Sequence, residues 1–163
     1  MNLPNYFLAD LPPEATLSPT MIAAACDTLK RNREQYLLTR TTDDLVKILC
    51  EVAAEWLRPE NKFRRFALEL GPEETGFSPA TLSRGLDDFF RRFTPENFEA
   101  LLAQDLGVDV GRHFWRGPEL LVHIAAGNLP NPAWMSLTLG LLTRSAQFVK
   151  CASGAAGRRV HCG

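Results

Sequence analysis

The sequence predicts an α/β chain, with a mainly helical region over residues 1–117 and one βαβ unit opening the segment 118–163. Three observations carry this. Apolar stripes at helical spacing recur between residues 18 and 107, each opened by a capping residue. Two short runs rich in β-prone residues, LLVHIAA and QFVK, flank a proline-rich bend and an apolar helix. Strands joined by a helix rather than a tight turn are expected to lie parallel.

Taken in order, residues 1–17 hold Pro4, Pro12 and Pro13 and read as an extended arm whose Tyr6, Phe7 and Leu8 dock on this chain or another. Ser18-Pro19 is a cap followed by proline and starts a helix with Ile22, Ala25, Leu29 and Tyr36 on one face. Thr41 or Thr42 caps a second helix in which Leu45, Ile48, Leu49, Val52 and Trp56 form the buried stripe, and Pro59 marks its end. A short third helix is expected over 61–70, packing through Phe63, Phe66 and Leu70 and stopped by Gly71-Pro72. Ser78-Pro79 opens a fourth, buried through Leu82, Leu86, Phe89 or Phe90, and Phe93. Thr94-Pro95 opens a fifth, with Phe98, Leu101, Leu102 and Leu106 inside and Gly107 as its stop. The turn Arg116-Gly117-Pro118 is the candidate boundary between the two segments.

Beyond it, residues 120–126 are apolar except for His123, as in a strand covered on both faces, and Gly127 ends the run. Pro130 and Pro132 suit the bend that leads into a helix from about Ala133, and Gln147, Phe148, Val149 and Lys150 return to β character. In a parallel pair Asn128, just past the first strand, and Lys150, ending the second, share the edge of the sheet at which ligands of open α/β sheets bind.

Composition narrows the function classes. A net charge of −1 argues against a general nucleic-acid binder, so Lys30-Arg31-Arg33, Arg64-Arg65 and Arg91-Arg92 read as solvated helix faces. No secretory signal opens the chain, so a cytoplasmic location is the default. Residues 120–143 lack Asp, Glu, Lys and Arg, yet His123, Asn128, Pro130, Asn131 and Pro132 make a membrane span a poor reading. Cys26, Cys50, Cys151 and Cys162 form no paired motif and read as free thiols, and with His113, His123 and His161 they show no metal-ligand spacing.

The stretch HIAAGNLPNPAWMSLTLGLLTRSAQFVKCASG resembles the N-terminal cofactor-domain segment of LuxC-like acyl-CoA reductases, a branch of the aldehyde dehydrogenase superfamily. The resemblance rests on the His-Ile strand, the Gly-Asn-x-Pro bend, the Leu-Gly-Leu-Leu helix end and the Val-Lys strand end. SPATLSRGLDDFFRRFTPENFEALLAQDLG resembles the helical region that precedes that core. This likeness implies the first βαβ unit of an aldehyde-dehydrogenase-like, Rossmann-type cofactor domain, and NADPH-dependent reduction of an acyl-CoA or other acyl thioester to an aldehyde.

It also implies roles. Asn128 would donate its amide hydrogens to the thiohemiacetal oxyanion, although Gly-Asn is also ordinary turn chemistry. Lys150 would bind the adenosine ribose of the cofactor, or simply end a strand in solvent, and Ser153 could assist it. His123 reads as making one internal hydrogen bond, and Gly127 and Gly140 as allowing close backbone approach. The family's nucleophilic cysteine comes later than this segment, and Cys151 does not take that role. The chain is therefore expected to be a truncated, N-terminal piece of a reductase with little turnover alone, meeting acyl-transferring proteins or further copies of itself. The alternative is a non-catalytic helical interaction protein derived from the same fold.

Overall fold

A computed structural model describes residues 18–107, 115–125 and 131–150. It is mixed α/β and mostly helical. In order come α1 (Pro19–Asn32), a π-helical turn (Arg33–Leu37), α2 (Thr42–Leu57), α3 (Lys62–Thr75), α4 (Pro79–Phe90) and α5 (Pro95–Leu106). These are followed by β1 (Leu120–Ile124), α6 (Asn131–Leu142) and β2 (Ala146–Lys150). The expected N-terminal arm, with Tyr6, Phe7 and Leu8, lies outside the described residues.

The helix starts follow from their caps. Ser18, Thr41, Ser78 and Thr94 each accept a hydrogen bond from the backbone N–H three residues on, relieving a donor the first turn leaves unpaired. At Thr41 the bond is reciprocal, because the Asp44 carboxylate accepts from the Thr41 N–H at 3.1 Å. Asn61 Oδ1 accepts from both Phe63 and Arg64.

Three helices depart from the stripes expected of them. In α1 the regular spiral stops at Asn32, and the following wider turn leaves Tyr36 exposed while burying Arg33. In α2 the buried apolar positions are Leu45, Leu49 and Ala53, so Ile48 and Val52 face outward rather than into the core. The largest correction is α3, which does not stop at Gly71-Pro72 but runs to Thr75 and ends on Gly76 in the left-handed region. It also packs through a face other than the aromatic one. Arg64 is the buried side chain, donating to the Trp56 carbonyl and the Ser83 hydroxyl and pairing with Asp87 at 2.8 Å, and Phe63, Phe66 and Leu70 are turned outward. Gly71 lets α3 approach α4, since a Cβ there would come within 2.8 Å of Leu82 Cδ1.

One core cluster joins Leu45, Leu49, Phe98, Leu102 and Leu142, and a second joins Ala53, Leu86 and Phe90, with Trp56, Phe93 and Trp134 packed on it. Leu142 and Trp134 come from α6, so the crossover helix is embedded in the helical layer. Two arginines tie the same parts together. Arg144, fully buried, donates to the carbonyls of Arg40 and Trp115 and to the Thr42 hydroxyl, and Arg33 donates to the Arg144 carbonyl at 2.6 Å and to that of Gly117.

β1 and β2 pair in parallel, with Leu120 opposite Ala146 and Ile124 opposite Lys150. Burial on both faces, expected from the apolar run, is not found. Exposure on one face grows along β1, from a half-buried Leu120 to 60 % at Val122 and 73 % at Ile124. Among the described residues α1 meets the pair near its amino-terminal end, where Lys30 pairs with Glu119 at 3.1 Å, and the face that carries Val122 and Ile124 is left open. No helix among the described residues is long and apolar enough to cross a membrane.

Candidate functional site at the carboxyl edge of the strand pair

Parallel pairing brings the carboxyl ends of β1 and β2 to one edge, and the register closes there with the Ala125 N–H donating to the Lys150 carbonyl at 2.9 Å. The Lys150 backbone is thus fixed while its side chain is exposed. Because cross-strand partners point the same way, Lys150 stands on the open face of the sheet with Val122 and Ile124. Asn128 and Ser153, which the sequence nominates beside Lys150, lie outside the described residues, as do Gly127 and Cys151.

The opposite face carries a polar relay that the sequence hinted at through His123 alone. His123 makes two side-chain hydrogen bonds, Nε2 to Gln147 Oε1 at 2.9 Å and Nδ1 to Ser136 Oγ at 3.0 Å. Gln147 spends its amide N–H on the Leu137 carbonyl, so its oxygen accepts, His123 Nε2 carries the proton, and Nδ1 accepts from Ser136. The ring therefore links β1, β2 and α6. Gly140 makes this possible, since a Cβ there would collide with the Gln147 side chain. Both ring nitrogens are taken up by these hydrogen bonds, so the histidine reads as a positioning group for the strand ends. Gln147 and Ser136 were missed by sequence reasoning; a glutamine in an otherwise apolar strand was the available signal.

A separate cleft of about 610 Å³ runs between α2 and α5 and includes Val46, Cys50, Ala54 and Leu102, with Lys47 and Glu99 among its polar groups. Burial raises the Cys50 thiol above its ordinary pKa, and the Glu96 carboxylate adds to the shift. Both effects disfavour the thiolate, so Cys50 is a poor nucleophile. Among the described residues no group of three or more His, Cys, Asp or Glu is arranged to hold a metal ion.

No family model matches the chain, and comparison with curated proteins and with solved structures finds no significant similarity.

Proposed function

We propose that the chain contributes the cofactor-binding edge of an NADPH-dependent reductase that converts an acyl thioester such as an acyl-CoA to an aldehyde. The observation that supports the reading most is the parallel register that aligns Ile124 with Lys150 and brings both strand ends to one edge, the usual ligand side of α/β sheets. The residues present suit the cofactor in one respect that matters: Lys150 is an exposed ammonium on a fixed backbone, able to donate to ribose hydroxyls or to a phosphate oxygen. When bound, NADPH supplies the hydride. Asn128, one bend beyond β1 in sequence, contributes amide donors to the negative charge that develops on the thioester carbonyl oxygen. The reading gives no residue of this chain the nucleophile's role.

The test is acyl-CoA-dependent NADPH oxidation by the product of the whole reading frame that encodes this chain. Asn128→Ala should cut the rate at least about tenfold, corresponding to about 1.4 kcal/mol of transition-state stabilisation. Lys150→Ala should weaken NADPH binding measured by the cofactor's fluorescence. Absence of thioester-dependent oxidation, or variants indistinguishable from the parent, removes the proposal.

A second reading, a non-catalytic helical interaction protein, is favoured by the outward-turned aromatic row of α3. It predicts no NADPH binding at all and a partner that protects that row.

A further inference from the structure

We propose that α3 is a self-association surface through which two copies of this chain meet antiparallel about a two-fold axis. Phe63, Phe66 and Leu70 are 49 %, 51 % and 43 % exposed and recur at i, i+3 and i+7, which puts them in one row on the helix. The row cannot roll inward. Arg64, on the opposite side, is clamped by the Trp56 carbonyl, Ser83 and Asp87, and Gly71 is packed against Leu82, so the rotation of α3 is fixed with its aromatic side outward. Trp56 stacks on Phe63 with ring centroids 6.5 Å apart, and Val52, one turn earlier on α2, is also exposed.

The charges beside the row select the occupant. Lys62, Arg65, Glu69 and Glu73 lie along one flank of it, all exposed, basic in the first half of the helix and acidic in the second. This is the reverse of what the helix dipole favours, for α3 has no acidic residue in its first turn and no basic residue in its last. Turned antiparallel against a second copy, the flank complements itself: Arg65 meets Glu69 of the other copy, and Glu69 meets its Arg65, while the aromatic rows cover each other. Such a two-fold contact is closed, because each copy uses the same patch. The proposal is independent of the reductase reading, since it uses no residue of the strand edge.

Sedimentation velocity on the full chain from roughly 1 to 200 μM, a range that brackets a micromolar dissociation constant, provides the test. A monomer–dimer equilibrium is expected. R65E and E69K should each weaken it by at least about tenfold, because each places like charges opposite one another. An equimolar mixture of the two variants should dimerise again, since each then supplies the charge the other lacks. Circular dichroism of each variant reports whether α3 has stayed folded. A parent that is monomeric throughout overturns the proposal, as it would if the row were covered by residues 1–17 or reserved for another protein. So does a dimer unaffected by either charge reversal, or a mixture no tighter than the single variants.

Discussion

Helix α2 touches α3, α4, α5 and α6, whereas among the described residues the strand pair packs chiefly on α1, near its beginning, and on α6. Leu45, Leu49 and Ala53 of α2 are buried, while Val122 and Ile124 of β1, no less apolar, stand largely in solvent. The difference shows that burial is a property of the neighbours an element acquires, and that hydrophobicity alone earns none. A side chain contributes its transfer free energy only where something covers it. The open sheet face therefore adds little to the stability of this chain, and the helical layer supplies most of it.

Truncation in the helical layer should have the largest effect. Phe90 stacks on Trp56 at 5.1 Å between centroids and packs on Phe93 and Trp134, so Phe90→Ala is expected to cost about 3–5 kcal/mol in urea unfolding. Close behind comes Arg144→Ala, which strands the carbonyls of Arg40 and Trp115 and the hydroxyl of Thr42, at about 3 kcal/mol. Arg144 also has φ of 56°, so Arg144→Gly should be milder than Arg144→Ala by about 1 kcal/mol in the same experiment.

Thr41→Ala sits lower, at about 1 kcal/mol, because it removes a cap. A hydrogen bond from the Thr41 side chain, and after it one from the Thr41 backbone N–H, holds the Asp44 carboxyl below its ordinary pKa, and Thr41→Ala removes the first of the two. A folded value below the unfolded one means the stabilisation is present above the ordinary carboxylate pKa and is lost as pH falls through the lowered folded value. The acid-side decline of stability should accordingly be shallower in Thr41→Ala than in the parent, read from urea midpoints at successive pH values. Smallest of all is Ile124→Thr, expected within about 0.5 kcal/mol of the parent. If it cost as much as Phe90→Ala, the contrast between the two regions would be wrong.

Local signals were the legible part of the sequence. Cap residues located the starts of α1, α2, α4 and α5, and the buried rows of α4 and α5 followed from spacing, Leu86 and Phe90 in one and Phe98 and Leu102 in the other. The parallel strand pair and the placement of Lys150 at its carboxyl edge were legible too. What spacing could not supply was which of two possible faces a helix turns inward. In α3 that choice is made by Asp87 on a different helix, which gives Arg64 a partner worth burying and leaves three apolar side chains outside. Arg144 was invisible for the same reason, since its acceptors lie at Arg40, Thr42 and Trp115, far along the chain. Of the nominated site, Lys150 is described, and Asn128 and Ser153 fall outside the described residues.

The arginine contacts also bear on the order in which the chain folds. Arg33 reaches the Arg144 carbonyl across 111 positions and Arg144 reaches Arg40 across 104, whereas the contacts between α3 and α4 close short loops. Short loops close cheaply and early, and distant pairings come late. Arg144→Ala should thus accelerate unfolding in stopped-flow kinetics while leaving the refolding limb nearly unchanged.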